Sequence, residues 1–359
     1  MRVVAVRGTQ FRCYERLELE LPPGLVGVVG PNGAGKTALI EMIHFGCLGY
    51  SPRTSSEARV VRFGADFTRV ETDIALRGGV TSVELGYRPS EPKRVAVDGA
   101  AERSIERLLG RFPVLVFTPD RLRLVQGAPA LRRAYVDRAL ARLWPSVAAA
   151  SSEYARRLAQ RNHLLRRVRS GAARPDALDP WDQLLAEAGA ALSAARARLC
   201  SRLARPFADR LGELGGTPGT QPLRYQPNVE QPEQLAALLA ARRGKDVERA
   251  ITGAGPHLDD VGLFEGERDL RLFGSQGEQR RALLALILAE ADVLTDERDE
   301  PPLLLLDDVT GELDAERRRL LLAAVSAFDQ AIVTTTDRGD LSGHAASILL
   351  VEDARVTAA

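Results

Sequence analysis

Much of this 359-residue sequence can be read from what it has little of. Cysteine occurs three times, at Cys13, Cys47 and Cys200, far apart and at no metal-ligand or paired spacing. That excludes a disulfide framework and a cysteine metal site, and it fits a reducing compartment. Aromatic residues make up 5% of the chain, which argues against a stacking platform for single strands. No run approaches the ~20 apolar residues that cross a bilayer, and the start, MRVVAVRGTQFR, lacks the apolar core and cleavage site of a signal peptide. A cytoplasmic protein is expected. Net charge is nearly absent too, at +1, but it is unevenly spread. From Arg121 to Glu213 there are 18 Arg, no Lys and 8 acidic residues, a net of +10; from Asp246 onward 24 acidic residues face 11 Arg, a net of −13. The Arg-rich middle suggests a polyanion partner, or else long surface helices that simply carry arginine.

What is present begins with Val26–Thr37, VGVVGPNGAGKT. It fits the phosphate-loop pattern G-x-x-x-x-G-K-[ST], entered from a buried strand at Val26–Val29 and left by a helix at Ala38–Phe45. A polyphosphate needs several backbone N–H donors aimed at one point, so the chain must curl where glycine permits it. The nucleotide-binding candidates are Gly30, Pro31, Asn32, Gly33, Ala34, Gly35, Lys36 and Thr37. The helix that starts near Lys36 adds its positive end, Lys36 can reach the β- and γ-phosphates, and the Thr37 hydroxyl suits Mg²⁺. A nucleotide polyphosphate with Mg²⁺ is therefore the expected ligand, and the motif alone does not say what the nucleotide drives.

Strands are expected at Met1–Val6 and Leu17–Leu21, and again at Phe67–Leu76, Val80–Tyr87 and Arg94–Val97, with Asp98-Gly99 as a turn. They make an antiparallel layer beside the nucleotide-binding sheet, to which Pro113–Phe117 adds a buried strand. Ser51–Gly64 reads as polar and irregular. Beyond Pro119 come helical stretches at Ala130–Leu143, Val147–Arg169 and Trp181–Leu214, rich in Ala, Leu and Arg. Their heptad register does not hold, so a compact helical lobe is expected instead of a long coiled coil. A further helix is expected at Gln231–Arg243. Thr252–Asp260, TGAGPHLDD, reads either as a loop at a functional surface, with His257 as a contact residue, or as a plain connector. Val261–Phe264 and Leu270–Phe273 read as a hairpin around Gly266.

Pro302–Asp308, PLLLLDD, reads as a buried parallel strand ending in carboxylates. Asp307 is the candidate for holding Mg²⁺ with Thr37, and Asp308 for orienting the attacking water with Lys36 on the phosphates. Ser275, Gln276, Gly277 and Glu278 open an apolar helix at Ala282–Leu294 and look like a second anion-binding helix start. Gly311-Glu312-Leu313-Asp314 leads into the helix Ala315–Phe328, and Ala331–Thr336 is a buried strand whose polar end, Thr336 included, is placed to sense the γ-phosphate.

Together these segments resemble the ABC-type ATPase head of SMC-like DNA-repair proteins, and within that group the RecF family of bacterial recombination mediators, over nearly the whole chain. The matching segments are Phe11-Arg12, Ser51-Pro52-Arg53-Thr54, Thr118-Pro119-Asp120 with Arg132-Arg133, Gly255-Pro256-His257, Ser275-Gln276-Gly277, and Leu306-Asp307-Asp308 with Glu312-Leu313-Asp314. Cys13 stands where that family's F-R-N has Asn. The resemblance implies an α/β ABC-type ATPase head from residues 1–118 and 250–359, a phosphate-loop sheet with an antiparallel layer, and an inserted, mostly helical second lobe at 119–249. It also implies a homodimer that sandwiches two ATP, with Ser275–Glu278 acting in trans, Glu312 and Asp314 in the dimer loop, and Thr336 in the switch. The implied role is ATP-dependent binding at DNA gaps or single-strand/double-strand junctions in replication, repair and the SOS response, with slow hydrolysis, RecR and RecO as partners, and RecA loading as the outcome. A structural SMC-type chromosome clamp is the alternative. A transporter motor or a small-molecule kinase fits less well.

Overall fold

Alternating and continuous apolar runs at the start of the chain fold as two different kinds of sheet, and one helix fills the space between them. In the computed structural model the residues described are 1–54, 56–311, 313–341 and 343–358; Glu312 of the expected dimer loop lies outside them. The chain divides into two units. The first comprises Met1–Leu122, Arg210–Gly216 and Gln276–Ala359, and the second Arg123–Asp209 and Thr217–Ser275.

The first unit opens with β1 (Arg2–Phe11), β2 (Tyr14–Glu20), β3 (Gly24–Val29) and α1 (Lys36–Leu48). It continues through β4 (Thr68–Leu76), β5 (Gly79–Tyr87), β6 (Arg94–Val97), β7 (Ala100–Ala101), α2 (Ile105–Arg111) and β8 (Val114–Phe117). The second unit contributes α3 (Arg123–Gln126), α4 (Pro129–Leu143), α5 (Ala149–Arg169), α6 (Asp179–Glu213) as far as Asp209, β9 (Leu223–Gln226), α7 (Leu235–Arg249), β10 (Asp260–Glu265), β11 (Arg268–Asp269) and α8 (Leu270–Phe273). The chain then returns to the first unit through α9 (Gln276–Arg298), β12 (Leu303–Leu306), α10 (Ala315–Ser326), β13 (Gln330–Thr335), β14 (Ser347–Glu352) and β15 (Arg355–Ala358).

In the first unit the antiparallel sheet runs β2-β1-β4-β5-β6-β7, and the second sheet runs β15-β14-β3-β13-β12-β8, parallel except for β15 at its edge. The unbroken apolar runs of β3 and β12 are what a strand covered on both faces requires. Helix α1 is buried all round and touches strands of both sheets, the expected fate of a helix without a polar face. Gly46 lets it approach closely, because a Cβ there would fall 2.0 Å from the Thr72 hydroxyl. Buried Gln330 stitches the layers: its amide oxygen accepts from the Val3 N–H at 2.8 Å, and its amide nitrogen donates to the carbonyls of Val3 at 2.9 Å and Pro22 at 2.8 Å. Among the described residues no helix is long and apolar enough to cross a membrane.

The second unit packs α5, α6 and α7 about a shared core that includes Tyr154, Leu185, Leu192, Leu235 and Leu239. Its interior is also ionic. Fully buried Arg161 donates to Asp182 at 2.7 Å and to Asp246 and the Thr252 hydroxyl at 2.8 Å. Arg196 pairs with Asp137 and Asp259, and Arg132 forks onto Asp260 at 2.7 and 2.8 Å. Four arginines of the basic middle, Arg132, Arg142, Arg161 and Arg196, are thus interior residues.

Three expectations change. The loop Thr252–Asp260 is an internal fastening, neither an outward surface nor a mere connector: Thr252 and Asp259 are buried, and His257 accepts from the Tyr154 hydroxyl at 2.7 Å while donating to the Thr252 carbonyl at 3.0 Å. Leu270–Phe273 is helical, not the return strand, because the hairpin at Gly266 closes within β10–β11 and the Asp269 side chain caps the next N–H groups by accepting from Arg271. Residues 250–275 belong with the helical unit, since β10 pairs with β9 and its Asp260 holds Arg132, and Arg210–Gly216 belongs with the sheets, where Arg210 pairs with Asp292.

Removing one partner from a buried ion network strands the others. Arg161→Ala is therefore expected to lower stability by ~3–5 kcal/mol, read as a drop in the urea midpoint of the full chain; an unchanged midpoint would refute the interior role.

Candidate functional site

Parallel strands deliver their C-terminal ends to one edge of a sheet, and here β13 lies between β3 and β12. The loop after β3, the carboxylates after β12 and the hydroxyls that end β13 therefore meet. Strand β3 leads into the turn Gly30–Gly35, where Gly33 (φ 83°) and Gly35 (φ 116°) occupy backbone conformations that side chains resist. Gly30 is required for another reason: a Cβ there would fall 2.1 Å from the Val351 carbonyl oxygen. The loop is braced from outside, with the Tyr14 hydroxyl donating to the Gly35 carbonyl at 3.1 Å and the Ala354 N–H to the Ala34 carbonyl at 3.0 Å. Lys36 starts α1 and donates to the Gly30 and Pro31 carbonyls at 2.7 and 2.9 Å, which holds its ammonium over the loop. Burial lowers its pKa, and Asp308 and Asp307 oppose that.

Asp307 joins the two halves. Its Oδ1 accepts from the Thr37 hydroxyl at 3.0 Å and from the Thr334 hydroxyl at 2.8 Å. Burial raises the Asp307 pKa, and those two hydroxyls oppose the shift. A buried carboxylate partnered by hydroxyl oxygens is a hard-oxygen set that would suit Mg²⁺, and Thr37 and Asp307 are the residues that could hold it. Asp308 follows in a left-handed conformation (φ 48°), its N–H donating to the Thr334 hydroxyl at 2.8 Å, and its exposed side chain faces the cleft. Such a backbone costs ~1–3 kcal/mol and persists where the surroundings enforce it.

These groups line one cleft of ≈ 760 Å³ with Asn32, Gly33, Gly35, Lys36 and Thr37, a size that accepts a nucleotide. Its other walls come from the segment read as irregular: Arg53, Arg59, Arg62 and a wholly exposed Phe63, joined by Arg12 and Cys13. Burial pushes the Cys13 thiol up. The polar end of Ala331–Thr336 is the local signal that reaches Thr334, though it does not single it out as the anchor of both aspartates, and Arg12 and Arg53 are marked only by the resemblance. Phe63 carried none at all.

Other candidates lie elsewhere. Thr336 is exposed one residue beyond β13 and is not in the cleft lining; Thr334 takes that place. Gln276, Gly277 and Glu278 begin α9 outside the lining, Gln276 and Gly277 exposed, and Ser275 is exposed at the end of the second unit. Asp314 caps α10 by accepting from the Arg317 N–H at 2.8 Å.

Comparison with known proteins places these features in a family. A family model described as an AAA domain matches residues 6–111. The DNA replication and repair protein RecF of Symbiobacterium thermophilum is 38% identical, over 92% of this chain and 90% of that protein. RecF of Acidothermus cellulolyticus is 37% identical, over 93% of each. A solved structure of the recombination mediator protein RecF with ATP, in the RecFOR pathway, superposes with a TM-score of 0.91 at 27% identity, covering 99% of this chain and 97% of that one. A solved SMC head bound to the C-terminal winged-helix domain of ScpA shares the fold at TM-score 0.59 and 16% identity.

Thr334→Val keeps the shape but removes a hydrogen bond to each aspartate. Bonds to a charged group contribute ~1.5–3 kcal/mol, so Mg-ATP affinity is expected to fall ~10–100-fold by titration calorimetry. An unchanged affinity in the folded variant would remove Thr334 from the site.

Proposed function

Because the chain belongs to the RecF family of DNA replication and repair proteins, we propose that it is an ATP-gated DNA-binding protein of recombinational repair that works as a cytoplasmic homodimer. The observation that carries this reading is the Thr37–Asp307–Thr334 junction, which sets a phosphate loop and a carboxylate pair on one cleft. In this proposal Gly30–Thr37 bind ATP, Thr37 and Asp307 hold Mg²⁺, Lys36 neutralises the phosphates, and Asp308 orients the attacking water. Mg²⁺, when bound, draws charge from the phosphate oxygens. A carboxylate is a weak base at neutral pH, so Asp308 polarises the water more than it takes its proton, and hydrolysis is slow. It acts as a timer for release.

Ser275, Gln276, Gly277 and Glu278 close over the partner's nucleotide in trans, with Glu312 and Asp314 at the dimer loop; the exposure of Gln276 and Gly277, neither of them in the cleft lining, supports this. ATP then makes contacts that ADP lacks, and that difference in affinity favours the closed dimer. The biological role is binding at DNA gaps or junctions, with RecO and RecR as partners and RecA loading as the result, in replication, repair and the SOS response. A chromosome-organising clamp of SMC type is the weaker reading, because α5–α7 pack into a short lobe around one core.

The exposed remainder of the basic middle supports a DNA contact at the end of α5. Arg166, Arg167 and Arg169 end α5 in solvent, and Arg174 follows in the turn. Arg166→Glu, Arg167→Glu and Arg169→Glu together are expected to weaken binding of a gapped duplex and to flatten the salt dependence by ~3 in log–log slope while sparing ATP binding. Undiminished DNA binding would move the contact elsewhere.

A further inference from the structure

Glu41 is a carboxylate that the phosphate-loop chemistry does not use, and yet it sits wholly buried on α1. Burying a carboxylate costs several kcal/mol unless it is paired and hydrogen-bonded. Here the pairing is dense. The Arg12 guanidinium grips it with two bonds, Nε at 2.8 Å and Nη2 at 2.6 Å. The Ser51 hydroxyl donates to it at 2.5 Å, and Arg53 Nη1 approaches to 3.5 Å. Ser51 in turn accepts from the N–H groups of Arg53 and Thr54 at 3.1 and 3.2 Å, so the same carboxylate fixes the turn that carries Arg53.

Both arginines line the cleft, whereas Glu41 does not. A guanidinium has five N–H donors in a rigid fork. Glu41 occupies the Nε/Nη2 edge of Arg12, and among the described residues no hydrogen bond engages its Nη1 edge. Arg12 also sits in a left-handed backbone conformation, φ 53°.

We propose that Glu41 is a positioning residue for the nucleotide site: through Arg12 directly and Arg53 by way of Ser51, it presents two guanidiniums to the polyphosphate from the side of the cleft formed by the β1–β2 turn and the Ser51–Thr54 segment. The proposal rests on the reading of this cleft as a nucleotide site. It makes Glu41 a source of affinity for an anionic ligand, although its own charge is of the ligand's sign and a direct contact would repel it. Without the anchor, both side chains regain rotamer freedom and the ordering cost moves onto ligand binding.

The test is a double-mutant cycle on Mg-ATP affinity. Glu41→Gln keeps the shape and is expected to weaken Mg-ATP binding ~10-fold or more, whereas adding it to Arg12→Ala is expected to cost far less than its effect in the wild type, since it acts through that arginine. A merely structural carboxylate would lower the melting temperature by the same amount in both backgrounds and leave the affinities additive. Glu41→Gln binding Mg-ATP as tightly as the wild type, or strict additivity, would overturn the proposal. Should Glu41→Gln fail to fold, Ser51→Ala carries the test, with ~3–10-fold weaker binding expected and wild-type binding contradicting it. A wild-type chain that does not bind Mg-ATP would instead overturn the reading of the cleft.

Discussion

One carboxylate oxygen of Asp307, held by two threonine hydroxyls, is the contact on which the site depends. Thr37 and Asp307 lie 270 positions apart in the chain, and Thr334 closes the triangle from the strand between them. A buried carboxylate hydrogen-bonded by two neutral hydroxyls is suited to a cation, and burial raises its pKa against those hydroxyls and nearby Arg53. The fold supplies this geometry because β3, β13 and β12 are neighbours in a parallel sheet, so three loops at their C-terminal ends converge without any of them being long.

Arginine serves two separate purposes in the chain. Arg161, Arg196 and Arg132 are spent inside the helical unit, each matched to aspartates, and they hold together elements whose apolar core is modest. Arg166, Arg167 and Arg169 are exposed at the end of α5, and Arg174 beyond them pairs with Asp176. A net charge counted along the sequence merges these two populations, since nothing in a one-dimensional count separates a guanidinium with a buried carboxylate from one in water. The same residue type then appears a third time, in Arg12 and Arg53, anchored by Glu41 yet facing the cleft.

How far the sequence could be read follows from how local each signal is. The phosphate loop, the Leu-rich strand with its two aspartates and the Asp98-Gly99 turn depend on neighbours in sequence, and all three form as expected. Leu270–Phe273, LRLF, is helical where a strand is expected because so short a stretch suits either, and the cap from Asp269 decides it. The fate of residues 250–275 was hidden because it is set by pairing of β10 with β9 and by Arg132 more than a hundred positions away. Glu41 is illegible for the same reason, since it gains its role only from what the fold sets beside it, whereas the polar end of Ala331–Thr336 points to the site without singling out Thr334.

The central claim is that ATP closes two copies of this chain around each other's nucleotide. The most direct measurement is the mass of the purified protein by light scattering with Mg-ATP, with Mg-ADP and without nucleotide. The account expects a dimer of about 78 kDa, twice the 39.0 kDa chain, with Mg-ATP alone, and monomer otherwise. A mass that ignores the nucleotide while Mg-ATP is demonstrably bound would contradict it.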